Sequence, residues 1–505
     1  TVIPSLTFDQ FKSFHDSYYH PANSRIFFYG DDDLEYRLEL LDEYLRDFDE
    51  ADATPSASEV QTQKLVPTPR RIVEKYPVAE GTTEAPTHMV LLNWLLHEQP
   101  LTNEDEIALA VLDHLLMGTP TSTLYKPMIE SGLGSAIMGG GLSDELKQAT
   151  FSIGLKGVSK DDVPKVEELA TSTLAKAVSD GFEADAIEAS LNTIEFSLRE
   201  FNTGGFPKGL SLMLGMMPRW LYGRGDPAEA LRFEKPLAHL KERLDSGERV
   251  FEDLLQRLIV DNDHLATVEL VPDAELADKQ KKEEEAVLAA AKAKMSPEQI
   301  QKVIEETKTL KEAQLKEDTA EQLASIPRVG IPDLERTVKT YPTVFDTLAG
   351  GGQLLTHPLP TAGVIYADVL LDMSKVPLED LPLLRFFSNV IDELGTSDMN
   401  AVQMQRRIGA RTGGISPAML FEQVVGENGA VGDPLKCTAH FALRGKATVE
   451  KASDLFDLTH SLLSDANLKD GQQKAIELLR ESQTRLESSF ISSGNSFAGM
   501  RLAAR

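Results

Sequence analysis

Cysteine is almost missing from these 505 residues. Cys437 stands alone, so no internal disulfide can form and no multi-thiolate zinc site is available. That suits a reducing compartment, or a core that needs no staples. Long apolar runs are missing too: the longest, Met89 to Leu96, is broken by Asn93 and is far too short to span a bilayer. A basic surplus is also lacking. Asp and Glu outnumber Lys and Arg by 80 to 51, a formal charge of −29, which argues against nucleic acid partners. A plain, well-solvated acidic surface accounts for this charge. The same charge would also steer cationic peptides or proteins toward the chain. No HExxH, HxxEH, GxSxG elbow, Walker loop or GxGxxG occurs.

What is present is ordinary globular material, 41% hydrophobic and 26% charged, in a chain too long for one core. Thr7 and Gln10 form a capping-box pattern, and Phe8, Phe11, Phe14 and Tyr18 recur at helical spacing, predicting a helix over 7–20 that Pro21 stops. "SRIFFYG" (24–30) predicts a buried strand, and a further helix runs to about Phe48. Residues 1–50 thus read as the end of one domain, and 51–67 as a linker by composition. A second α/β domain spans 68–273. It has strands at 88–96, 149–158 and 264–273 and helices at 104–117, 122–132, 161–180 and 184–200. Residues 274–324 are nearly all strong helix formers, broken at "MSPEQ", where Ser296, Pro297 and Gln299 supply a cap, a first-turn proline and a closing glutamine. This is a helical hairpin with mixed charges, which does not fit a membrane or calmodulin-type segment. A third α/β domain and the start of a following region occupy 325–505.

The chain also repeats itself. "ATFSIGLKGV…" (149–200) and "CTAHFALRGK…" (437–488) both read strand, Leu-Lys/Arg-Gly, helix, acidic turn, "AIE", helix. "GTPTSTLYKPMIESGLG" (118–134) and "GTSDMNAVQMQRRIGARTGG" (395–414) match in the same order, which points to duplication. The glycine clusters "MGGGLSD" (138–144) and "AGGGQLL" (349–355) lack the Lys-Ser/Thr of a phosphate cradle and read as turns.

Ten histidines are available for metal ligation: His15, His20, His88, His97, His114, His239, His264, His357, His440 and His460. His15 and His20 are five residues apart, roughly 140° around a helix, so they do not share a face, and Pro21 follows at once. They fit a packed helix-to-strand joint with core aromatics better than a zinc site. No catalytic or metal residue is assigned, and the substrate-contacting residues stay unknown.

The stretch "FHDSYYHPANSRIFFYGD", with "IPSLTFDQFKS" before it, resembles the joint that closes the first domain in the pitrilysin/insulin-degrading superfamily of zinc peptidases. "YKPMIESGLG" (125–134), "GLKGV" (154–158), "GDPAEALRFEKPL" (225–237) and the hairpin are similar to its organellar oligopeptidase branch, in order along the chain. The resemblance implies an α+β fold of tandem related α/β domains, antiparallel-rich mixed sheets packed with helices. These lie in two pseudo-symmetric halves joined by a helical hairpin that close around a peptide.

It further implies a zinc metalloendopeptidase degrading unfolded peptides, such as basic mitochondrial or chloroplast targeting presequences, as a monomer in the matrix or stroma, with no nucleic acid or membrane partner. The family's zinc is held by the histidines of an inverted HxxEH motif and a later glutamate, the motif glutamate activating water. All would precede Thr1. The chain starts without Met and stops inside a helix, and it reads as a piece of a longer protein that binds no zinc itself. Alignment on Gly118 and Gly395 places the motif positions at Leu109, Leu112 and Asp113, and at Phe386, Asn389 and Val390, so both later copies are degenerate. The strands and turns at 134–141 and 149–157 are the implied peptide-facing surface. The alternative is a non-catalytic peptide-binding or scaffolding homologue.

Overall fold

The computed structural model describes residues 3–48, 58–78, 87–200, 204–223, 225–326, 328–334, 336–337, 340–361, 363–424, 432–433, 436–469, 471–490 and 492–503. The linker stretch 51–57 lies outside them. Two compact units result, one of Thr1–Val73, Thr87–Glu269 and Ala362–Arg505, the other of Glu74–Pro86 and Leu270–Thr361.

In the first unit, Thr7 caps α1 (Phe8–Tyr18) and Gln10 closes the box. Asp33 caps α2 (Leu34–Leu45) by accepting from the Glu35 and Tyr36 amides. Between them the structure corrects the sequence. Residues 24–30 form no strand, and Ile26, Phe28 and Tyr29 are exposed, as are Phe8, Phe11 and Phe14. A strand needs a neighbour to take its backbone N–H and C=O groups, and no described strand pairs with this stretch.

The first sheet runs β1 (Arg70–Pro77), β2 (His88–Leu95), β3 (Ala136–Ser143), β4 (Thr150–Val158) and β5 (Leu265–Asp273), in the order β1-β5-β2-β4-β3. Alternation along β2 buries His88, Val90, Leu92 and Trp94. With Phe151, Ile153 and Leu155 of β4 they face α3 (Asn103–Met117) and α5 (Val163–Asp180), which supply Leu109, Leu112, Leu116, Val166 and Leu174 to the same core. The predicted helix at 122–132 shrinks to α4 (Tyr125–Glu130). The Ser122 hydroxyl instead takes the Thr119 amide at 2.9 Å, a local turn that competes with helix. "MGGGLSD" is not a turn: it lies mostly within β3, whose pairing with β4 shifts between Met138 and Gly141, where Gly139 and Gly141 have positive φ. Helices α6 (Ala184–Glu200), α7 (Lys208–Leu221), α8 (Glu234–Asp245) and α9 (Val250–Leu255) complete this half.

In the second unit, α10 (Leu276–Ala293), α11 (Pro297–Leu315) and α12 (Ala320–Ser325) bury no residue. Ser296 and Gln299 form the expected box on α11. Strands β6 (Val344–Thr347) and β7 (Gln353–Thr356) pair as a hairpin around the 350–352 glycines.

The first unit then resumes with β8 (Val364–Asp372), α13 (Leu381–Ser388), α14 (Ala401–Arg411), β9 (Ile415–Gln423), β10 (Cys437–Thr448), α15 (Ala452–Ser464), α16 (Gln472–Ser489) and α17 (Gly494–Ala503). The duplication read from sequence is visible in the fold. Strand order β2-β4-β3 recurs as β8-β10-β9, and β4, a 3-10 turn, α5 and α6 recur as β10, a 3-10 turn, α15 and α16. Gly157 and Gly445 occupy matching places after Leu155-Lys156 and Leu443-Arg444. The fold is therefore α+β, with antiparallel-rich sheets packed with helices.

Candidate functional site

Helix α6 of the first copy lies against α14 of the second, and the joint is polar. The Asn192 amide donates to the Gly409 and Thr412 carbonyls at 2.7 Å each, satisfying the end of α14. Lys451 Nζ donates to Asn192 Oδ1 at 3.0 Å and to the Ala410 carbonyl at 2.7 Å. Arg411 stands 3.5 Å from Glu188. Gly413 admits the Phe196 ring so closely that a Cβ there would lie 2.4 Å from it.

Beside this joint is a cavity of about 850 Å³ lined by the end of α3, the 119–123 turn, α6, α14 and β10. Its lining is rich in hydroxyls. His114 Nδ1 and Ser190 Oγ are 2.9 Å apart, and burial lowers the His114 pKa, favouring the neutral ring. Ser122 donates to the His114 carbonyl at 3.1 Å and shares its hydroxyl with Thr119. Lys446 pairs with Glu200, and the Tyr366 hydroxyl donates to Glu200 at 2.8 Å. Burial first, then that carboxylate, pushes the Tyr366 pKa up to about 12. Asp392 also lines the cavity, and burial, with Glu393 adding, pushes its carboxyl up to about 6.

Strand β3 ends its sheet, so one of its edges carries no strand among the described residues. Near one end of that edge the Leu142 amide donates to Asp113 Oδ1 at 2.8 Å. Burial raises the Asp113 pKa, the Leu142 amide opposes it and Asp144 adds to it. Asp113 thus anchors β3 to α3, while Leu109 and Leu112 are core. In the second copy Val390 is buried and Asn389 ends α13. These positions offer one carboxylate already engaged and no imidazole, so they do not fit a zinc ion. Among the described residues no group of three or more His, Cys, Asp or Glu is placed to hold a metal.

The histidines have separate partners. His15 stacks on Tyr19 at 4.8 Å, and His20 Nδ1 accepts from the Ala22 amide at 3.1 Å. His88 lies 2.8 Å from Glu269, and His97 Nε2 accepts from the Ala149 amide at 2.9 Å. His239 pairs with Glu104. His264 Nδ1 accepts from the Val66 amide at 2.9 Å, and His357 lies 3.1 Å from Thr343. His460 sits 3.4 Å from Ser464, and His440 faces Leu420 and Asp372 across the sheet.

The family described as "Peptidase M16 inactive domain" matches residues 5–194, and the peptidase-associated family of M16 subfamily C matches 270–505. Presequence protease 1, chloroplastic/mitochondrial, of Arabidopsis thaliana is 43% identical over 504 residues, covering 99% of this chain and 46% of that protein. Over most of its length the chain is thus similar to M16 peptidases. Protein HypA of Clostridium perfringens is 29% identical, over 98% of this chain and 49% of its own length. The mitochondrial presequence protease of Danio rerio is 27% identical, over 99% and 48%. The chain spans about half the length of these relatives. Sequence reasoning reaches the family through its joint and strand motifs. It misses Asn192 and Lys451, isolated polar residues whose partners lie far away in sequence, and Asp392, which lines a cavity built from several elements.

Proposed function

We propose that this chain is one part of a zinc metalloendopeptidase that degrades unfolded peptides, among them cleaved targeting presequences, in mitochondria or chloroplasts. Its share of the work is to hold peptide, while the zinc ligands come from sequence other than these 505 residues. What carries the reading is the 43% identity to a presequence protease sustained over 99% of the chain. Two further features support it. The free edge of β3 suits an extended peptide added as a strand, a mode in which main-chain hydrogen bonds give affinity without demanding a sequence. The charge of −29 favours basic peptides. No helix of the described residues is long and apolar enough to cross a membrane.

Zinc analysis and peptide hydrolysis test the reading, on this chain beside the longer protein. The expected result is cleavage by the longer protein with one zinc, and peptide binding without cleavage or stoichiometric zinc by this chain. Zinc at one per chain with activity would overturn the placement of the ligands. Binding without cleavage by both would favour a non-catalytic homologue.

A further inference from the structure

One charged group in the α6–α14 cavity has no partner of opposite sign among the described residues. Asp392 sits in the short turn Ile391–Glu393, lines the cavity and is half buried. Among the described residues its own backbone amide is the one donor acting on its carboxylate, and the one charge acting on it is the like-signed Glu393. The other charges lining the cavity are matched. Glu200 has Lys446 and Tyr366, and Arg406 is committed to Glu183 and Asp185. A carboxylate drawn out of water beside a like charge is unfavourable unless something cationic completes it.

The surroundings narrow what that cation is. Thr121 and Ser190 bring hydroxyls with acceptor lone pairs to spare to the lining, whereas those of Thr119 and Ser122 are spent on each other and on the 119–121 turn. A guanidinium carries five N–H donors and no acceptor in a planar fork that suits a carboxylate. It is the group whose unmet needs this lining answers. The volume of about 850 Å³ accommodates an arginine side chain with its flanking backbone.

We propose that this cavity is a subsite for an arginine side chain of a bound peptide, with Asp392 as the counter-charge and the hydroxyls of Thr121 and Ser190 as acceptors. The inference rests on the peptide-holding reading above and narrows it to arginine-bearing peptides. It places their recognition at the joint between the two repeats, away from the β3 edge.

The test uses this chain and three probes: an unstructured peptide with one arginine, its citrulline twin, and N-acetylarginine amide. Binding is read by fluorescence anisotropy for the peptides and by calorimetry for the small cation. The arginine peptide should bind about tenfold tighter than the citrulline peptide, as one charge-assisted hydrogen bond implies. Asp392→Asn should abolish that preference while leaving the citrulline peptide's affinity unchanged, which also certifies an intact fold. Equal binding of the arginine peptide to D392N and to the unaltered chain would overturn the subsite and leave the peptide reading standing. Asp392-dependent binding of N-acetylarginine amide, with neither peptide bound, would keep the guanidinium site and overturn the peptide reading. Binding of none of the three would overturn both.

Discussion

The side-chain carboxamide of Gln148 pairs with the backbone of Gln63 through both of its polar atoms. It accepts from the Gln63 amide at 2.7 Å and donates to the Gln63 carbonyl at 2.9 Å, while also reaching the His97 carbonyl at 2.6 Å. Gln148 is 8% exposed, so a side chain does here what a neighbouring strand would do. The Leu65 amide is taken by Glu98 at 2.6 Å and the Val66 amide by His264 at 2.9 Å. The strap at 63–66 is therefore held by three side chains that recognise backbone.

Replacing Gln148 with Leu removes all three bonds. The expected cost is about 2–3 kcal/mol, read as a lower urea midpoint, with faster proteolysis inside 58–66. Unchanged cleavage there would mean the strap is held by something else.

The strap should also respond to acid. Burial, with the positive charge of Arg70, holds His264 below the ordinary imidazole range, so the folded state favours the neutral ring that accepts from Val66. Its contribution is complete above the unfolded value of about 6.5 and is lost as pH falls through the lower folded value. Proteolysis at 58–66 should rise on acidification in the unaltered chain. In His264→Asn, which keeps an acceptor and does not titrate, the rise should be absent.

Asp392 gives the opposite sign. Its carboxyl sits at about 6, above the unfolded value of about 3.9. The stabilisation from its proton is whole below the unfolded value and gone once pH passes the folded one. Asp392→Asn should raise the Tm of the peptide-free chain at pH 8 and leave it unchanged at pH 3. Glu393 beside it, and His114, Glu200, Arg406 and Lys446 around the same cavity, are present in both proteins. A lower Tm at pH 8 would show that the carboxylate has a stabilising partner after all.

At the joint between repeats, Asn192→Leu takes their side-chain donor from two carbonyls and leaves Lys451 only the Ala410 carbonyl. A loss of about 2–4 kcal/mol is expected. A single urea transition is expected of the unaltered chain's first unit, splitting into two in the variant as its copies uncouple. One transition at an unchanged midpoint would contradict the latch.

Gly413→Ala drives a methyl into the Phe196 ring, and overpacking of this kind costs about 1–3 kcal/mol. Phe196→Leu in the same protein should recover part of the loss, a coupling that a double-mutant cycle measures.

Much of the scaffold is legible in the sequence because it is local. Apolar runs mark β2, β4 and β5, the caps at Thr7 and Ser296 mark helix starts, and "LKG" against "LRG" marks the duplication. "SRIFFYG" misleads for a physical reason: an apolar, β-branched or aromatic run signals a surface to be covered, and strand formation also needs a neighbouring backbone. At the positions the resemblance implies for the motif, Leu109, Leu112 and Asp113, residue type alone offers no imidazole. Asn192 and Asp392 are not legible, since nothing within ten residues of either marks it out. Asn192 matters through Gly409, 217 residues away, and Asp392 through a cavity built from several elements.

Gly157 and Gly445 look interchangeable as letters and are not so as geometry. Gly157 has φ +77° and its Cβ would strike Ser135, backbone included, whereas Gly445 has no positive φ and is crowded by the end of Leu455. The first is required by handedness, which no partner substitution repairs. The second is required by a neighbour's bulk, which a smaller residue at 455 relieves. After duplication, one copy of this motif is thus closed to drift and the other conditionally open, so the repeats have diverged under unequal freedom even where their sequences still agree.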